Sequence, residues 1–274
     1  MKYILITFYL LLFITISSQD YIEYREVGER VWLSADNVNL RSTPKDGKIL
    51  ENLPIGSELT FQSLENGWAQ VVYEHGKKKV KGYLLEEFLS DQASYDEKTQ
   101  NLFLFRTLSL EKNKYGRDVP KVEIRVAKNN KELAKKIIYG DNEGGFYVNV
   151  TGGKELKSVQ NIISINFPQE CCACPGGGTD YLFWNGKEII NAFTIYDGVD
   201  APVFGINALI FPDDHGGSPN TIIMVYYQGE YDYDGGSVSV IEQSETEIHH
   251  WDGQMLNKIY PIEKPKAESK EEKE

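Results

Sequence analysis

Every cysteine of this 274-residue chain falls within one short stretch, "CCACPGGG", at residues 171 to 178. Three chemistries are open to Cys171, Cys172 and Cys174. A nucleophile needs a thiolate beside a histidine, and a helix start that lowers the thiol pKa assists it. Here Pro175 and three glycines follow the thiols, which opposes a helix. His215 sits in an Asp-rich loop and His249-His250 in a strand-like run, so neither is an obvious base. Cys171 and Cys174 also have the spacing of half a zinc knuckle, but no second pair completes it. The preferred reading is structural. In an oxidising compartment a bridge between Cys171 and Cys174 would tether a Gly-rich turn, with a modest entropic gain because the loop is so short. Cys172 is then left over, buried or paired with another molecule, and a vicinal Cys171–Cys172 bridge is the strained alternative.

Three acidic loops could do other chemistry. They hold Asp197 and Asp200, then Asp213, Asp214 and His215, then Glu230, Asp232 and Asp234. Calcium takes six to eight oxygens from carboxylates and carbonyls on flexible loops. Asp232 and Asp234 alternate ahead of two glycines as in part of such a loop, but the closing glutamate is missing. Asp, Gly and Asn also make turns without any ion, and that reading is favoured. No cofactor is therefore expected, with calcium at Asp232 and Asp234 as the alternative.

Compartment decides the cysteine chemistry, and the chain's start bears on it. "MKYILITFYLLLFITISSQD" places one lysine before an apolar run from Tyr3 to Ile16, followed by small polar residues. That layout predicts a signal peptide over residues 1–19, cleaved near Ser18 or Gln19. The apolar run is shorter than the roughly 20 residues that span a bilayer, and no later stretch reaches that length. The mature chain is expected to be secreted or periplasmic, without a membrane span.

The net charge is −12 and unevenly spread. Residues 101–159 carry 12 Lys and Arg against 7 Asp and Glu, whereas residues 160–262 carry 2 against 14. So acidic a surface repels phosphate backbones and anionic lipid, which argues against nucleic acid as a partner.

The positioning elements are β-type throughout. After a lead segment at residues 20–30, residues 31–90 alternate short strand-like runs with turn signals such as "KDG", "LPIGSEL" and "ENGW". Asn-Gly readily adopts the paired positive φ of a two-residue hairpin turn. Five short strands in this span predict a small barrel. The pieces "VNLRSTP", "LPIGSEL", "NGWAQV" and "KGYLLEEFL", in that order and spacing, resemble the bacterial SH3-like (SH3b) domain. That resemblance implies a non-catalytic module of exported proteins that binds cell-wall or other envelope components. Exported proteins with such a barrel often carry a cell-wall peptidase, but the signature Asp-Cys-Ser/Ala-Gly with a later Gly-His is absent. Asn39 and Arg41 lie on the loop side of the first piece, and Trp68 and Tyr83 are taken as aromatics at strand starts. Together they are the candidate ligand contacts. The competing account has Trp68 and Tyr83 pack the barrel core and Arg41 serve its own loop.

The polar stretch "SDQASYDEKTQ" reads as a linker over residues 91–101, ahead of an acidic all-β domain at 102–262. Three segments there share a pattern of strand, two-residue turn and strand, turning at Asn129-Asn130, Asn185-Gly186 and Asp252-Gly253. "NFP" at Asn166 and "IFP" at Ile210 recur upstream of the second and third. The weak repetition faintly resembles propeller-type repeats, and a sandwich or a three-unit sheet assembly is an equal alternative. The charged end, residues 263–274, holds too little apolar surface to order itself.

The expectation is thus an all-β, exported, non-enzymatic bacterial protein. Its partner would be peptidoglycan, another cell-wall polymer or an envelope protein. A thiol- or metal-dependent cell-wall hydrolase guided by the barrel is one alternative, and a calcium-stabilised interaction protein is another.

Overall fold

A computed structural model of the chain describes residues 25–140, 144–169, 176–200, 203–232 and 237–259. The expected leader, the expected tail, and Cys171, Cys172 and Cys174 lie outside the described residues. The fold is all-β, and the described residues contain no helix beyond one 3-10 turn.

Strands β1 (Arg30–Trp32), β2 (Val38–Arg41), β3 (Ile49–Leu53), β4 (Glu58–Glu65), β5 (Trp68–His75) and β6 (Lys78–Leu85) form a six-stranded sheet, one strand more than expected. Its order is β1-β4-β5-β6-β2-β3, so the second strand returns to pair beyond the sixth. The β4–β5 hairpin closes at Asn66-Gly67, whose φ angles of 51° and 76° suit a two-residue turn of the primed type. After β6 a 3-10 turn at Glu86–Phe88 leads the chain back, and Leu89 bridges to Leu33. Alternation sorts the side chains. Val38 and Leu40 of β2, Ala69 and Val71 of β5, and Leu84 of β6 point into one core with Leu33, Leu53 and Leu59.

The pairing of β2 with β6 rests on a glycine. A Cβ on Gly82 would lie 2.7 Å from the Arg41 carbonyl oxygen and 2.7 Å from Leu40 Cγ. Only a residue without a side chain lets the strands approach that closely.

The next four strands are β7 (Gln92–Asp96), β8 (Asn101–Lys112), β9 (Asp118–Lys128) and β10 (Lys131–Tyr139), in the order β10-β9-β8-β7. Five of the eleven residues expected to be a linker are therefore strand β7, and a turn follows them. The strand's polar residues mislead because they bond to backbone and side-chain groups within the fold. The Gln92 side-chain amide donates to Phe146 O and accepts from Val148 N at 3.1 Å. Asp96 accepts from Thr99 Oγ1, from Lys98 N and, at 2.8 Å, from the buried Asn161 Nδ2. Burial works to raise the Asp96 carboxyl, but these hydrogen bonds outweigh it and hold the pKa below its ordinary value.

The third sheet runs in chain order through β11 (Tyr147–Gly152), β12 (Asn161–Gln169), β13 (Gly176–Trp184), β14 (Ile189–Asp200), β15 (Val203–Ile210), β16 (Thr221–Asp232), β17 (Ser237–Trp251) and β18 (Leu256–Ile259). It packs face to face on the four-stranded sheet. Phe103, Phe105, Ile124 and Val126 of one meet Ile163, Phe167, Leu182 and Trp184 of the other in a shared core. Among the expected arrangements, a shared core between two sheets is that of the sandwich. A second cluster covers the other face of β12 and β13, where Phe183 meets Trp251 edge-on with ring centroids 4.9 Å apart.

All three expected hairpins form, yet they are not repeats. Asn129 and Asn130 make a two-residue turn at φ 51° and 60°, joining β9 to β10 in the four-stranded sheet. The other two are four-residue turns in the eight-stranded sheet. In each, the first residue's side chain accepts from two backbone N–H groups, Asn185 from Lys187 and Glu188, Asp252 from Gln254 and Met255. A capping side chain lengthens the turn by two residues relative to the expectation.

Polar contacts gather on residues 86–91, the segment that leads from the first sheet into the second. Arg25 donates to Glu86 Oε1 at 3.0 Å and to Ser90 O at 3.1 Å, and also reaches Asp91. Arg106 donates to the Glu87 carbonyl and to Glu123. Ile55 packs on Leu104 and Ala127.

Candidate functional site

Three of the four residues singled out as ligand contacts line one groove of about 290 Å³ on the first sheet: Asn39, Arg41 and Trp68. The same alternation that buries Val38 and Leu40 turns Asn39 and Arg41 to the opposite side of β2, where both are half-buried. Trp68 opens β5 directly after the Asn66-Gly67 turn and stands opposite Leu85 of β6. Neither Trp68 nor Tyr83 belongs to the core cluster, which is built from smaller aliphatic side chains and Phe61. The half-buried indole of Trp68 forms a groove wall, and its N–H donates to no group among the described residues.

Tyr83 is placed differently. It lies near the end of β6, not at its start, and its phenol takes a hydrogen bond from Gln70 Nε2. It pairs with Arg41 across the β2–β6 junction and supports the groove without lining it.

The polar groups are held in place. Arg41 Nη1 donates to Gly47 O at 3.0 Å, which fixes the guanidinium and leaves further N–H groups for an acceptor. Asn39 Oδ1 accepts from Asn52 Nδ2 at 3.1 Å, so its own amide N–H groups remain available. Asp36 and Lys45 add one charge of each sign at the rim, while Leu85 and Phe88 supply the apolar floor. Asn37 and Lys45 hold positive φ angles of 56° and 62°. Asp36 Oδ1 accepts from Ile55 N at 3.3 Å and fastens the first loop.

Asp36, Lys45, Leu85 and Phe88 were not among the sequence candidates. The "KDG" turn signal falls on Lys45's loop, but only the fold brings that loop beside Trp68, some twenty residues away. Phe88 lies within the quoted piece "KGYLLEEFL", but only the 3-10 turn after β6 turns it to the groove.

The other candidates separate. Cys171 and Cys174 lie outside the described residues, as does Asp234, and Asp232 ends β16. Among the described residues, no three or more His, Cys, Asp or Glu side chains gather to hold a metal ion. The acidic loops that are described bond their carboxylates to groups of the protein itself. Asp214 accepts from Phe211 N at 2.9 Å and Lys154 Nζ at 3.2 Å, and the former bond is the first cause of a carboxyl pKa below its ordinary value. Asp197 Oδ1 accepts from Asn207 N at 2.9 Å and Nδ2 at 3.0 Å. No helix among the described residues is long and apolar enough to cross a membrane.

Compared with protein-family models, with curated proteins and with solved structures, the chain matches none. The groove's own chemistry is therefore the guide. It offers an aromatic face, a fixed guanidinium, amide donors and an apolar floor, a set suited to an extended ligand bearing carbonyl or carboxylate oxygens.

Proposed function

We propose that this protein is an exported envelope-binding protein whose first sheet is an SH3b-like module, and that it works by binding without catalysing a reaction. The ligand is peptidoglycan or a related envelope polymer, held in the groove of Asn39, Arg41 and Trp68. The observation that carries this reading is the convergence of Asn39 and Arg41 of β2 with Trp68 of β5 on one groove. A wall polymer combines peptide carbonyls and carboxylates with sugar rings. Arg41 and Asn39 suit the oxygens, and Trp68 suits a flat apolar face. The larger sandwich holds the module through Arg106, which donates to the Glu87 carbonyl, and through Leu104 and Ala127, which pack on Ile55.

Sedimentation of the purified protein with insoluble peptidoglycan tests this. Saturable retention is expected, reduced by Trp68→Ala and by Arg41→Ala. A protein that stays in the supernatant at every peptidoglycan concentration would remove the wall polymer from the reading.

A further inference from the structure

A second concavity lies where the first sheet meets the four-stranded sheet, and its volume of about 520 Å³ exceeds that of the groove. Such a volume falls within the roughly 300–1,000 Å³ of small-molecule sites. Two cross-strand rows build its walls. One is Trp32 opposite Glu58, on β1 and β4. The other is Tyr95, Leu102 and Ala127, in register across β7, β8 and β9. Trp32 packs on the Ile55, Leu104 and Ala127 cluster that joins the sheets, so its ring is fixed. Tyr95 is 57% exposed, which is high for an aromatic with no partner assigned to it.

The rim is made of amides in left-handed backbone. Gln100, Asn129 and Asn130 hold φ angles of 60°, 51° and 60°, and Gly56 beside them holds 78°. None of the three amide side chains has a hydrogen-bond partner among the described residues. A Cβ on Gly56 would come within 3.2 Å of Leu102 Cδ2, so the glycine also keeps the wall close. The charged rim groups, Glu58 and Lys128, are of opposite sign, and Glu58 is already paired with Arg30 at 3.3 Å.

We propose that this inter-sheet cleft is a second binding site, distinct from the groove, and that its ligand is a neutral saccharide chain. A sugar ring has an apolar C–H face and a rim of hydroxyls, each both donor and acceptor. Tyr95 and Trp32 present apolar faces at the wall. Gln100, Asn129 and Asn130 each offer both a carbonyl acceptor and N–H donors, which matches a hydroxyl better than a one-sided cation or carboxylate does. The balanced charge disfavours a polyanion. Because the rim turns are locked by backbone geometry and not by the ligand, little ordering remains to be done on binding.

Isothermal titration of the purified protein with chitohexaose, cellohexaose and maltohexaose tests the assignment, with a proline-rich decapeptide as the competing ligand class. At least one hexasaccharide should bind saturably. Tyr95→Ala should weaken it about tenfold or more. Tyr95→Phe, which keeps the ring, should bind as the parent does. Binding by none of the three saccharides overturns the proposal, as does binding by the peptide alone. Saccharide binding that survives Tyr95→Ala but is lost in Trp68→Ala assigns the sugar to the groove and overturns the cleft while leaving the envelope-binding reading intact.

Discussion

Arg41 stands opposite Tyr83 at the single point where β2 pairs with β6, directly beside Gly82. This contact turns a set of hairpins into a module with a groove. It brings the Arg41 guanidinium, set by β2, to the same side of the sheet as Trp68, set by β5. Without the close approach that Gly82 allows, the two would belong to separate ends of the sheet.

Gly82→Ala should therefore destabilise the protein by about 1–3 kcal/mol, since the added methyl meets backbone and a packed leucine. Urea unfolding followed by tryptophan fluorescence reads this directly. An unchanged midpoint would mean that β2 can move aside without cost.

Trp68→Ala removes a half-buried wall of the groove and no part of the core cluster. Stability should fall by no more than about 1–2 kcal/mol, while retention on peptidoglycan falls about tenfold. If thermal stability collapses together with retention, the indole is a packing residue and the groove loses its main support.

Glu123 is 4% exposed and takes hydrogen bonds from Arg106 Nη2 at 3.0 Å and from Arg125 Nε at 2.9 Å, with Lys135 at 3.7 Å. Burial works to raise its carboxyl pKa, but the Arg125 hydrogen bonds and the charges of Arg125, Arg106 and Lys135 outweigh it and hold the pKa below its ordinary value. The folded state therefore binds fewer protons here than the unfolded chain. The resulting stability is present above the unfolded value of about 4.3 and is lost as pH falls through the lower, folded value. Glu123→Gln should cost about 3 kcal/mol at neutral pH, because it strips Arg106 of its counter-charge and leaves Arg125 with Glu132 alone. The variant's unfolding midpoint should also decline less steeply than the parent's below pH 4.5. Parallel pH curves for the two proteins would show that the network does not depend on this charge.

If Cys171 and Cys174 form the expected bridge, one free thiol per chain is left. Thiol titration of the exported protein under denaturing, non-reducing conditions should count one, and peptide mass mapping should place the bridge within the Gly-rich segment. Three free thiols would exclude the staple. The same exported sample, sequenced from its N-terminus, should begin close to Gln19, and a start at Met1 would contradict a cleaved leader.

Strand content, the positions of the tight turns and three groove residues were legible in the sequence because each depends on local rules. Alternation fixes which side of a strand a residue faces, so Asn39 and Arg41 had to oppose Val38 and Leu40. Asn66-Gly67 and Asn129-Asn130 demanded positive φ and obtained it. What depends on contacts across long sequence distances was not legible. The polar stretch at residues 91–101 looked like a linker because composition does not reveal that Gln92 has backbone partners more than fifty residues away and Asp96 one at the next turn. Similar hairpin patterns looked like repeats, although the first entered one sheet and the others another. The sequence by itself determined an all-β chain with named turns and a one-sided set of polar residues on β2. Only the tertiary structure decided that Arg41 would meet Tyr83, that Lys45 and Phe88 would complete the groove, and that Trp32 and Tyr95 would wall a cleft. Pairing partners in a sheet are chosen by the summed burial of whole faces, and no local stretch of residues encodes that sum.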